Sequence, residues 1–149
     1  MDTVGTVTLA LRSELRFEVD FGLACVPRLS TDAMPPLGQG GGPDSEMLLM
    51  AAVGNCLSAS LAFSLRKFRN DEVPMRATVD AILARDERGR LRVRSLAVDI
   101  HLGVPASALR LVDRVVAQYE DFCTVTQSVL AAIPVAVRVF DSAGAELSA

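Results

Sequence analysis

The N-terminal segment alternates. Val7, Leu9 and Leu11 fall on one side of the chain and Thr6 and Thr8 on the other, with a polar break at Arg12-Ser13-Glu14. Arg16-Phe17-Glu18-Val19-Asp20-Phe21 then alternates again, so residues 4–21 predict two strands. The pattern repeats further on. Ala77, Val79, Ala81 and Leu83 alternate with Arg76, Thr78 and Asp80, and Leu96, Val98, Ile100 and Leu102 alternate with Ser95, Asp99 and His101. Between them Asp86-Glu87-Arg88-Gly89-Arg90 predicts a hairpin turn. Pro134 opens a last strand over Val135–Phe140.

Helical stretches separate these strands. Residues 27–43, rich in Pro and Gly, read as a loop. Asp44 is then placed to cap a helix, with Glu46 in its first turn, where the helix dipole favours an acid. That helix is expected to run to about Phe68 and stop near Asn70-Asp71. It is apolar almost all round, as for a helix enclosed in a core. Ala52, Cys56, Ser60 and Ser64 recur every fourth residue and give it one stripe of small side chains. Residues 105–121 predict an amphipathic helix with Leu109, Val112, Val116 and Tyr119 on one face. A short helix over about Thr126–Ala132 follows. The order β-β-α-β-β-α-α-β predicts one α+β domain over residues 1–149 with largely antiparallel pairing.

No charge occurs between Met47 and Leu65, a run long enough to be weighed as a membrane span. Asn55, Ser58, Ser60 and Ser64 interrupt it, and no Trp or Tyr flanks it, so the expectation is a buried helix and no membrane. The first residues carry no basic segment followed by an apolar one, and no signal peptide is expected. A net charge of −3 and 5% aromatic residues offer neither the basic footprint nor the stacking surface of a nucleic-acid binder. Three cysteines, Cys25, Cys56 and Cys123, are an odd number, which favours reactive or buried thiols over a disulfide framework. With one histidine and no close cysteine pair, no metal site is expected.

Two segments carry a resemblance. Pro43-Asp44-Ser45-Glu46-Met47-Leu48-Leu49-Met50-Ala51-Ala52-Val53-Gly54-Asn55-Cys56 resembles the stretch of OsmC/Ohr proteins in which a helix-opening acid leads to the peroxide-reacting cysteine. Phe122-Cys123-Thr124-Val125-Thr126-Gln127-Ser128-Val129 resembles that family's resolving-cysteine motif. The order of flanking elements agrees over nearly the whole chain. The sequence departs from the family's usual pattern at Thr124 and Ser45, where proline is common. The resemblance implies antiparallel sheets around a long buried central helix in an intertwined homodimer of the cytoplasm. It also implies a thiol-dependent peroxidase that reduces organic hydroperoxides without cofactor, with Cys56 attacking, Cys123 resolving and an external dithiol regenerating both.

Chemistry sharpens these roles. A thiol reacts with peroxide as thiolate, and a mid-helix, partly buried Cys56 would by itself have a raised pKa. A cation is therefore expected beside it, and an arginine that stays charged suits best. Arg16 and Arg28 are the candidates. Glu46, roughly 15 Å from Cys56 along a straight helix, can act on the sulfur only by holding that arginine. Cys123, just ahead of a short helix, is expected to lie near unpaired N–H groups. Cys25 is expected to pack in a strand, His101 to be a surface residue, and the glycines at 40–42 to form a flexible loop. Two rival readings use the same fold: a non-enzymatic binder of small apolar ligands, and a thiol redox sensor.

Overall fold

The computed structural model describes residues 4–148, which fall into two compact units divided between Leu49 and Met50. The first unit holds a three-stranded antiparallel sheet of β1 (Thr8–Ser13), β2 (Arg16–Asp20) and β3 (Leu29–Thr31) in that order. The two predicted strands are there. β3 was expected to be loop, but three residues suffice to pair Leu29 with Val19 and Thr31 with Phe17. Val19 is buried, whereas Val7, Leu9 and Leu11 stand exposed.

The predicted flexible loop is a packed one. Asp32 accepts the N–H groups of Gln39 (3.2 Å) and Gly41 (3.0 Å), and the Asp32 N–H donates to the Pro43 carbonyl (3.2 Å). Side chains at positions 41 and 42 would run into the Arg16 guanidinium and the Ser30 carbonyl. Glycine is needed there for close approach. Beyond the loop, helix α1 (Ser45–Lys67) starts where expected, with Asp44 Oδ1 accepting the Met47 N–H at 2.8 Å.

In the second unit, β4 (Met75–Arg85), β5 (Leu91–Leu102), β6 (Val135–Phe140) and β7 (Glu146–Leu147) form one sheet in that order. The β4–β5 hairpin forms as expected. Asp86 Oδ1 accepts the N–H groups of Arg88 and Arg90, and Gly89 takes the positive φ of 73° that the turn requires. β6 lies parallel to β5, the one departure from antiparallel pairing among the described residues. Leu96, Val98, Ile100 and Leu102 of β5 are buried, as are Val53, Leu57, Leu61 and Leu65 of α1. At Gly54 the helix approaches β4 so closely that an added Cβ would sit 2.7 Å from Val79 Cγ2.

Two expectations need correction here. Within one chain α1 is not enclosed on every side. It buries a stripe of Val53, Gly54, Leu57, Leu61, Ser64 and Leu65, and leaves Phe63 66% exposed. It is also long and apolar enough to cross a membrane, by length and composition alone. The helix expected over 105–121 is broken into a 3₁₀ turn (Ala106–Ala108), α2 (Val112–Val116) and a second 3₁₀ turn (Tyr119–Phe122). Buried Asn70 is the cause. It accepts the Arg110 N–H (2.7 Å) and donates to the Arg110 carbonyl (3.0 Å), taking both groups from any helix, and Leu111 follows at φ 52°. The chain then enters α3 (Thr124–Leu130).

Candidate active site

Two sulfurs meet at the end of α3. Cys56 lies in the middle of α1 and is half-buried; Cys123 is the residue just before α3 and is fully buried. Cys123 has the extended backbone of a capping residue (φ −84°, ψ 93°), yet its side chain does not cap the helix. The Cys56 sulfur, arriving from another helix, takes that place. The Val125 and Thr126 N–H groups, the Ser60 hydroxyl and the Cys123 thiol all act on it to favour the anion. These first-turn N–H groups have no partner within α3 and favour an anion.

The two thiols are pushed in opposite directions. Burial raises the Cys56 pKa. Against it act the hydrogen bond from Cys123, the two backbone N–H groups and Ser60, and the net result lies below an ordinary cysteine. Cys123 is raised, first by burial and next by Cys56 beside it, while the Thr126 hydroxyl and N–H pull the other way. Cys123 Sγ and Thr126 Oγ1 are 2.9 Å apart. The arrangement therefore disposes Cys56, rather than Cys123, to give up its proton first. The helix-end donors expected for Cys123 serve mainly Cys56, and within the second unit the groups acting on Cys56 are neutral.

Access differs as well. Cys56 lines an open depression of about 550 Å³ together with Ala52, Ala59, Phe63, Phe122 and Val125; Cys123 does not line it. Phe122 is 60% exposed at its rim. A solute entering the depression meets Cys56 and cannot reach Cys123. Behind Cys123, the buried phenol of Tyr119 has no hydrogen-bond partner among the described residues. Burial, Glu120 and Cys123, in that order, hold it above the usual phenol range.

The other expected site residues belong to the first unit. Arg16 pairs with buried Asp32 (3.5 Å), and its Nε is buried without a partner. The Gly41 N–H first, then the Gln39 and Ala33 N–H groups and Arg16, hold the Asp32 carboxyl below its ordinary value against burial, which raises it. Arg28 is exposed and engaged with Glu18 (2.9 Å) and Asp20 (3.1 Å). Glu46 accepts a hydrogen bond from the Ser45 hydroxyl (2.9 Å), and among the described residues no arginine pairs with it. Within the first unit Glu46 and Arg16 are not paired, and the carboxylate on Arg16 there is Asp32.

Cys25, expected in a strand core, is exposed in a turn closed by the Val26 N–H on the Leu23 carbonyl (3.0 Å). Gly22, at φ 68°, ends β2 before it. His101 stacks on Phe140 with ring centroids 5.0 Å apart. Ser60, Val125 and Thr126 were not foreseen as site residues. The signals for them are spacing: Ser60 is one helical turn after Cys56, and Thr126 is one turn after Cys123.

Comparison with known proteins fixes the family. A model described as OsmC-like protein matches residues 38–138. Among curated proteins none matches. Among solved structures, an organic hydroperoxide resistance protein OsmC from Legionella pneumophila is 16% identical, with a TM-score of 0.69. The match covers 93% of this chain and 98% of that one. OhrB of Bacillus subtilis, an organic hydroperoxide resistance protein, is 17% identical over 92% of this chain and 98% of its own, with a TM-score of 0.68. A hypothetical protein from Aquifex aeolicus VF5 is 19% identical over 94% and 97%, with a TM-score of 0.70.

Proposed function

The chain belongs to the OsmC-like protein family, and we propose that it is a thiol-dependent peroxidase that reduces organic hydroperoxides to alcohols. One observation carries the reading: a reachable cysteine pushed toward thiolate stands beside a buried cysteine pushed the other way. That is the division of labour a two-cysteine peroxidase needs. The Cys56 thiolate attacks the outer oxygen of ROOH, the O–O bond breaks, and the alkoxide leaves as ROH on taking a proton. Cys56 is left as sulfenic acid. Cys123 then attacks the Cys56 sulfur, the S–O bond breaks and water departs. An external dithiol reduces the disulfide. The side chains of Ala52, Ala59, Phe63 and Phe122 around Cys56 favour a substrate with an apolar R group.

Further parts of the reading draw on the family. Arg16 is the arginine assigned to the thiolate, since its Nε is a buried donor with capacity left, whereas Arg28 is spent on exposed carboxylates. Glu46 is assigned to orient it. A homodimer is supported by the exposed apolar residues Val7, Leu9 and Leu11 of the first unit; action in the cytoplasm, with each chain one functional domain, is what the family resemblance implies. The depression also favours a second reading, a non-catalytic binder of apolar ligands, which leaves the opposite shifts of the two thiols without purpose.

The test is a pair of variants. Cys56→Ser is expected to abolish peroxide consumption. Cys123→Ser is expected to give one burst per site, with oxygen added at Cys56 by mass spectrometry. Equal loss of the burst in both, with no adduct on Cys56, rejects the peroxidase and leaves the binder.

A further inference from the structure

The buried polar group with the most specific placement is Thr126. It is fully buried, and its hydroxyl, 2.9 Å from Cys123 Sγ, has no other partner among the described residues. Ser128, on the same helix, does what a helical serine ordinarily does and donates to the carbonyl four residues back, Thr124, at 2.8 Å. Thr126 turns its hydroxyl to the sulfur instead. We propose, building on the peroxidase reading, that Thr126 is a positioning residue for the resolving cysteine: its hydroxyl accepts the Cys123 thiol proton at rest and donates to the sulfur whenever Cys123 carries negative charge.

The chemistry places that charge twice in each cycle. In resolution, Cys123 Sγ forms the S–S bond with Cys56, the S–O bond of the sulfenic acid breaks, and the leaving hydroxide takes the Cys123 proton as water. In reduction, a thiolate of the external dithiol attacks Cys56, the sulfur it can reach. The S–S bond breaks and its electron pair goes to Cys123. The second thiol of the reductant then displaces Cys56, and the two reductant protons restore the pair. In both steps charge develops on a sulfur with no exposure to water. The titratable groups facing it are Cys56 from α1 and the phenol of Tyr119 from the preceding turn. Cys56, a sulfenic acid in the one step and a mixed disulfide in the other, carries no charge that could offset it. Tyr119 makes no hydrogen bond. The Thr126 hydroxyl, which can both accept and donate, is the side-chain partner already in contact. Its N–H, shared with Cys56, is unaffected by a change of side chain.

Thr126→Val keeps the shape and removes the oxygen; Thr126→Ser keeps the oxygen. After one equivalent of cumene hydroperoxide, disulfide formation in Thr126→Val is expected to be about tenfold slower than wild type, the equivalent of about one pKa unit. Dimedone is then expected to trap more sulfenic acid at Cys56, and Thr126→Ser to restore both. Should Val not fold, Thr126→Ala takes its place. A second readout needs no peroxide. In a Cys25→Ser, Cys56→Ser background, the thiolate absorbance of Cys123 is expected to titrate about one unit higher with Val at 126, and to return with Ser. An unchanged titration, or a Ser variant as slow and as shifted as Val, overturns the role of the hydroxyl. A wild type that forms neither sulfenic acid nor disulfide overturns the peroxidase, and the titration alone then upholds or overturns the Thr126–Cys123 partnership.

Discussion

Asp32 and Cys56 are both acids that their surroundings push toward the anion, and the means differ. Asp32, in the first unit, gathers N–H groups from a glycine-rich loop and adds a guanidinium. Cys56, in the second, receives N–H groups from a helix end, a hydroxyl and a thiol, all neutral. The carboxylate needs little help at neutral pH, so its partners chiefly fix the loop. The thiol starts on the protonated side, so each donor changes how much nucleophile is present. The same kind of hydrogen bond is architectural at Asp32 and chemical at Cys56.

Removing the arginine tests that contrast most strongly. If Arg16 acts on the thiolate as well as on Asp32, Arg16→Ala should raise the pH midpoint for alkylation of Cys56 and slow the peroxide step about tenfold. Arg28→Ala should do neither. The sign follows from the lowered pKa: thiolate is present above the midpoint and lost as pH falls through it, so a raised midpoint costs rate at neutral pH. If both variants alkylate like wild type, the neutral donors suffice and Arg16 belongs to Asp32 alone.

Packing gives a smaller effect. Gly54→Ala would drive a Cβ to within 2.7 Å of Val79 Cγ2, so α1 or β4 must shift. A loss of about 1–3 kcal/mol in urea unfolding is expected, with a lowered rate at Cys56, which lies on the same stretch of helix. A Gly54→Ala protein of wild-type stability would mean that the contact yields freely. The smallest effect belongs to Cys25. Exposed and outside the pair, it should be open to alkylation in the native protein, and Cys25→Ser should leave peroxide turnover unchanged.

What could be read from the sequence was local. Asp44 caps α1 and Asp86 closes the hairpin because each acts on N–H groups within four residues. The alternation of β4 and β5 reports one buried face directly. What could not be read was tertiary. Nothing near Leu111 announces a break; it is made by Asn70, forty residues earlier in the chain. β3 is too short to show a period, and Cys25 sits in a turn whose residues also suit a strand. The two sulfurs were joined by resemblance rather than by pattern. Their donors, Ser60, Val125 and Thr126, become visible only once α1 and α3 are set side by side.

The central claim is that Cys56 and Cys123 are one redox pair and Cys25 a bystander. Reduced protein treated with a single equivalent of organic hydroperoxide, quenched and mapped by mass spectrometry, tests it most directly. The account predicts the loss of two thiols, a Cys56–Cys123 disulfide and a free Cys25. A peptide map that pairs Cys25 with either partner, or that finds all three thiols intact, would contradict it.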